Sequence, residues 1–142
     1  RAGVAAVFHC GDIGGNDVLV ELAAAFLPRK TPVHVVFGNV DAFSGDLRFF
    51  PDHVGIEMHG WFGDIEIGGV RIALLHGDDR QHYHQIVSSG HYHLVLSGHT
   101  HIAHDHHNGS TRCINPGTAG RGAPNTCAIL DLESGTLQIV EV

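Results

Sequence analysis

The chain is 142 residues long, 43% hydrophobic, and carries a formal net charge of −7 with only 8 lysines and arginines. Its length and apolar content suit one domain with a real core. The acidic balance excludes a broad nucleic-acid or anionic-lipid surface, which needs a basic patch, but not one phosphate at a metal centre, where bound cations supply the positive charge. No apolar run approaches the roughly 20 residues of a membrane span, and the start has no signal-peptide pattern.

Val4 to His9 is a short apolar run ending in Gly11-Asp12, which reads as a buried strand running into a loop. Asp17 to Leu27 has apolar residues at helical spacing (Val18, Leu19, Leu22, Ala23, Phe26) and stops at Pro28, with Asn16 or Asp17 as its cap. Val33 to Phe37 is a second strand, followed by Gly38-Asn39-Val40-Asp41. Strand, helix, strand predicts a βαβ unit with a parallel sheet.

Further on, Ile65 and Ile67 alternate with Asp64 and Glu66, and Gly68-Gly69 precedes Val70 to Leu75, which predicts a hairpin. Arg80 to Ser89 reads as a helix ended by Gly90, and Leu94 to Ser97 as a strand entering Gly98-His99-Thr100-His101. The last third reads as antiparallel, with strands at Arg112 to Asn115, Thr126 to Leu132 and Leu137 to Val142. The whole, residues 1–142, is one domain of mixed α/β (α+β) class. It contains no repeat, linker or low-complexity tract.

Several of these strands end in glycine beside a ligand-type residue: Gly11-Asp12, Gly38-Asn39, His76-Gly77 and Gly98-His99. In open α/β sheets, sites form beyond the carboxyl ends of the strands, so these loops could bring Asp12, Asn39, His76, His99 and His101 to one point. Taken singly, Asp12 is also a turn or cap residue, Asn39 a turn residue and His76 a strand-end residue. In order, and all at strand ends, they read as a metal site. Oxygen and imidazole donors suit manganese, iron, zinc, cobalt or nickel. One carboxylate can bridge two such ions, which at about 3.5–4 Å apart can orient a phosphoryl group for in-line displacement. The 14 histidines, against one methionine and one tryptophan, fit a metal-binding protein.

His9-Cys10-Gly11-Asp12, Gly38-Asn39-Val40-Asp41, Leu75-His76-Gly77-Asp78 and Gly98-His99-Thr100-His101 resemble, in order, the motifs of the calcineurin-like metallophosphoesterases, above all their small bacterial and archaeal phosphodiesterase branch. Asn115-Pro116-Gly117-Thr118 is similar to that branch's Asn-Pro-Gly-Ser turn. The resemblance runs from Val4 to Val142. It implies a four-layer αββα sandwich of two mixed sheets. It also implies a phosphodiesterase using two divalent ions, manganese first, with nickel, iron, cobalt or zinc as alternatives, and a metal-bridging hydroxide as nucleophile. By resemblance Asp12 bridges the metals, Asn39, His76 and His99 complete the second metal, and His101 binds the first. The catalytic assignments are His76 and Asp41, the latter at the position that orients substrate or assists leaving-group protonation.

The family opens with an Asp-x-His pair that binds the first metal, and nothing upstream of Asp12 matches it; only His9 is at hand, within a strand. The opening Arg1 leads to the expectation of a truncated chain lacking a strand and a helix, with a short protein bearing a damaged first metal site as the alternative. In the latter case the expectation is an exposed sheet edge, poor stability and little hydrolysis. The competing functions are a non-catalytic scaffold on the same fold, as in the retromer subunit that resembles this branch, and a mononuclear metal-binding protein.

Cys10, Cys113 and Cys127 form no Cys-x-x-Cys and are odd in number, which predicts free thiols and a cytoplasmic setting. The expected partner is a phosphate-ester small molecule; a homo-oligomer is compatible with the sequence. His104, Asp105, His106 and His107 are either a separate metal site or a solvated strand at the rim. Trp61 is either a core residue or near a leaving group, beside a lid or connection holding His53 and His59. Asp78 and Asp79 either support the site or cap a helix, and Arg121 is placed to reach a phosphate oxygen.

Overall fold

The computed structural model describes residues 3–41, 55–120 and 124–142. Strand β1 (Val7–His9), helix α1 (Asn16–Phe26) and strand β2 (Val33–Val35) form the expected unit, with β1 and β2 parallel. A short strand β3 (Glu57–Met58) adds in parallel to the far side of β2. Among the described residues the other edge of β1 has no strand beside it. The expected caps of α1 are replaced by Gly15 in extended conformation, with no side-chain cap. Asn16 instead holds a buried side-chain oxygen without a partner.

The second sheet has five strands. β4 (Phe62–Ile67) and β5 (Val70–Leu75) form the Gly68-Gly69 hairpin. Helix α2 (Arg80–Ser88) crosses to β6 (Leu94–Leu96), parallel to β5. β7 (His104–Asn108) and β8 (Thr111–Asn115) complete the order β4-β5-β6-β8-β7. The expectation of a wholly antiparallel last third fails at β8, which pairs antiparallel with β7 but parallel with β6. Its buried face explains this: Cys113 and Ile114 pack on both sides of the sheet, as a central strand requires. β9 (Thr126–Leu130) and β10 (Leu137–Glu141) form an antiparallel ribbon.

The alternation of side chains along the strands sets the layers. Val33 and Val35 of β2 pack on Leu19 and Ala23 of α1. Val36, just beyond β2, faces Ile65, Ile72, Leu74, Leu94 and Ile114 of the five-stranded sheet, and the ribbon adds Ala128, Leu130 and Leu137 to that core. Ala73, Leu75 and Val95 turn the other way, onto Val87 of α2. Helix, sheet, sheet, helix is the four-layer αββα order; the described pairs are parallel in β1-β2-β3, both parallel and antiparallel in the five-stranded sheet, and antiparallel in the ribbon. Strands β1, β2, β5 and β6 bring their carboxyl ends to one rim.

Candidate metal centre

Four loops meet at that rim. β1 leads to Cys10-Gly11-Asp12, β2 to Gly38-Asn39, β5 to His76-Gly77 and β6 to Gly98-His99. The close approach depends on two glycines. Gly11 has φ +94°, and a Cβ there would stand 2.7 Å from the Gly38 nitrogen and 2.8 Å from His76 Nδ1. A Cβ on Gly38 would collide with the backbone nitrogen and carboxylate of Asp12. The backbone is strained where the ligand-type residues sit. Asp12, His99 and His101 have φ of 55°, 69° and 60°, and Lys30 is the fourth such non-glycine residue among those described. Each left-handed residue costs on the order of 1 kcal/mol, which the surrounding contacts must offset.

Buried His76 is the hub. Its Nδ1 lies 2.8 Å from the carbonyl oxygen of Cys10, so Nδ1 carries the proton and donates it there. In the neutral form of the ring Nε2 is then a lone pair. It faces Asn39 Oδ1 at 2.9 Å, Asp12 Oδ2 at 3.3 Å and His99 Nδ1 at 3.3 Å. His99 Nδ1 is also 3.2 Å from Asn39 Oδ1. Acceptor atoms gathered this closely repel unless a proton or a cation stands among them. Neighbouring donors around an octahedral ion with bonds of about 2.1 Å are separated by about 3 Å, so the spacing fits a divalent metal. The donor set of one carboxylate, one amide oxygen and two imidazoles suits that ion chemically.

The other predicted site residues fall differently. His101 is exposed on the same loop, and among the described residues no hydrogen bond joins it to the hub. Asp41, expected beside substrate, is 3% exposed. Its carboxylate accepts from the backbone nitrogens of Gly38 at 2.8 Å, Ile13 at 3.0 Å and Gly14 at 3.2 Å. It thereby ties the Asp12 loop to the Asn39 loop. Asp12 Oδ1 accepts from the Val40 nitrogen at 3.1 Å, a second tie between them. Arg121 and His53 lie outside the described residues.

Three contributions have roles that the sequence did not assign. The Cys10 carbonyl fixes the His76 tautomer, a backbone role that no side-chain motif signals. Burial pushes the Cys10 thiol up to about 12, which favours its protonated form. His9 sits against the cluster, its Nδ1 3.3 Å from the Gly11 nitrogen. Burial lowers its pKa, while Asp41 and Asp12 pull it back up. Buried Asn115 braces the fourth loop, donating to the Gly98 carbonyl at 2.8 Å and to Thr100 Oγ1 at 3.1 Å, while its own oxygen receives the Gly117 nitrogen at 2.9 Å. That bracing gives the Asn-Pro-Gly turn its purpose.

The remaining histidine clusters resolve plainly. His104 to His107 form the outward strand β7, with Asp105 paired to Arg112 rather than to a histidine. Asp79 caps α2 by accepting from the His82 nitrogen. Trp61 is 51% exposed and touches Phe37 edge-on, so it is not a core residue. The three cysteines are free. Among the described residues no helix is long and apolar enough to cross a membrane.

Residues 1–135 match the calcineurin-like phosphoesterase superfamily domain, and the chain belongs to that superfamily. Among solved structures, one described as a novel archaeal phosphodiesterase superposes with a TM-score of 0.85 at 25% identity, over 98% of this chain and 84% of that one. Vacuolar protein sorting 29 of Cryptosporidium parvum gives 0.65 at 21% identity, over 100% and 82%. A predicted phosphoesterase of Streptococcus pneumoniae gives 0.58 at 17% identity, over 87% and 77%. The last two likenesses concern the fold alone. Among curated proteins no sequence matches. Family and fold together support phosphoester hydrolysis in general.

Proposed function

We propose that this protein is a metal-dependent phosphodiesterase, with its centre at Asp12, Asn39, His76, His99 and His101. The observation that carries the reading is the convergence of Asn39, Asp12 and His99 on the lone pair of His76 Nε2. When bound, a pair of divalent ions, manganese foremost, supplies Lewis-acid charge at the phosphoryl oxygens and lowers the pKa of water to furnish the attacking hydroxide. The chain's part is to hold that charge in place. His76 is kept in one tautomer by Cys10; Asp12 would be shared between the two ions, and His99 and Asn39 would hold the second with it. His101 extends the same loop toward the first. Asp41 acts as a positioning residue, holding two ligand loops in register through three amides. The acidic chain favours a small phosphodiester whose charge is met at the centre, and the free cysteines favour a cytoplasmic setting.

Hydrolysis of bis-p-nitrophenyl phosphate with added manganese tests this. Manganese-dependent turnover that drops by roughly 100-fold or more in His76→Ala and Asp12→Asn is expected. Turnover that ignores those substitutions, or folded protein that binds no divalent metal, would overturn it; the second outcome would instead favour a scaffold on the same fold.

A further inference from the structure

We infer that His34, Glu57 and His59 form a separate site for one zinc-type divalent cation, carried by β2 and β3 and sharing no residue with the phosphoesterase centre. The site follows from strand register. His34 on β2 is the direct partner of Glu57 on the parallel strand β3, so the two side chains share a face. His59 lies two residues beyond Glu57, and its nitrogen continues the pairing onto the Val35 carbonyl, which returns its side chain to that same face. His34 Nδ1 stands 2.9 Å from His59 Nε2 and 3.3 Å from Glu57 Oε2, and the three ligand atoms all lie within 4.8 Å of one another. Donors around a tetrahedral zinc with bonds of about 2.1 Å are about 3.4 Å apart, so only a small opening of the His34–His59 contact admits the ion. Two imidazoles and one carboxylate are the ligand chemistry of zinc rather than of calcium or magnesium.

The surroundings favour a cation over a bare hydrogen bond. His34 is 5% exposed and is stacked between Phe8 and His59, with ring centroids 5.2 Å away on each side, so its ring is held in place. Gly63 of β4 makes room for His59: a Cβ there would come within 3.1 Å of the His59 ring. The three residues open onto a depression of about 430 Å³ that Asp64 and Glu66 also line. Its described lining therefore holds three carboxylates and no lysine or arginine. His34 lies five residues before Asn39, so their Cα atoms are at most about 18 Å apart. The ion would cross-link β3, which holds to β2 through only two register pairs, and it leaves a fourth coordination position open toward the depression.

The test is zinc stoichiometry. Metal-free protein is loaded with zinc chloride, desalted, and its zinc measured by elemental analysis, with cobalt absorption spectra as a second readout. The expected result is that His59→Ala and Glu57→Gln each bind one equivalent less than the parent, or bind it at least about 100-fold more weakly. Both should keep the metal held at His76. Glu57 is 56% exposed at its side chain, so Glu57→Gln tests the idea even if His59→Ala fails to fold. Unchanged zinc content and cobalt spectrum in folded Glu57→Gln would overturn it and leave the His34–His59 contact as a simple hydrogen bond.

Discussion

The side-chain oxygen of Asn39 lies 2.9 Å from Nε2 of His76, while Nδ1 of the same ring donates to the Cys10 carbonyl. In the neutral ring two lone pairs then face one another in a partly buried place. A bound cation turns that repulsion into attraction, so metal should stabilise the fold. Manganese at 100 times its dissociation constant should add about 2.7 kcal/mol, read as a rise in melting temperature that chelator reverses. In His76→Ala that manganese response should disappear. An equal rise in parent and variant would place the stabilising ion elsewhere.

Asp41 is the second expectation. Its carboxylate receives the amides of Gly38, Ile13 and Gly14, so Asp41→Ala orphans three partly or fully buried donors. The cost should be about 2–4 kcal/mol in urea denaturation, and manganese affinity should fall with it because two ligand loops lose their register. Asp41→Asn should recover part of both, since its amide oxygen still accepts. A direct role in proton transfer predicts otherwise: Asp41→Asn would abolish turnover with stability and metal affinity intact.

Much of this was legible in the chain. Glycine beside a ligand-type residue at the end of an apolar run marked Asp12, Asn39, His76 and His99, because close backbone approach demands glycine and strand ends collect at one rim. Apolar periodicity marked the strands and helices, while their stacking into four layers came only from the family resemblance. What the chain hid were relations between segments distant in sequence. Nothing in the string ties the Asp41 carboxylate to Ile13, or β8 to β6 rather than to the ribbon that follows it. The pairing of His34 with Glu57 was equally hidden, because register between strands is set by packing rather than by local composition. The misplaced cap of α1 has a similar source: Asn16 has the chemistry of a cap, but the loop from Asp12 enters the helix through Gly15.

Gly38 offers a sharper test of close packing. A methyl group there meets the backbone of Asp12, whereas one at Gly120 meets nothing within 4 Å and is not in a left-handed conformation. Gly38→Ala should cost about 1–3 kcal/mol and weaken metal binding, while Gly120→Ala should stay within about 0.5 kcal/mol. Calorimetry of the two variants side by side checks this.

Arg112 gives a pH-dependent expectation. It grips Asp105 with two bonds of 2.8 and 2.7 Å and donates a third to the Gly135 carbonyl, tying the β7–β8 hairpin to the turn of the ribbon. Hydrogen bonding from Arg112 holds the Asp105 pKa below its ordinary value of 3.8. A carboxylate lowered in the folded state contributes stability that is present above the unfolded value and lost as pH falls through the folded one. The pair lies at the surface with its side chains 17% and 34% accessible, so solvent screening still limits its worth to about 1 kcal/mol. Arg112→Ala should therefore be destabilised near neutral pH, with a gap that narrows as pH falls below 3.8 to what the Gly135 bond contributes. A constant gap down to strong acid would show that the loss is one of packing.

The central claim is that Asp12, Asn39, His76 and His99 enclose a divalent ion. Anomalous diffraction at the manganese absorption edge, from crystals grown with manganese, addresses it most directly. The account predicts a strong anomalous peak among those four side chains, against Nε2 of His76. Manganese bound by the crystalline protein but absent from that position would contradict it.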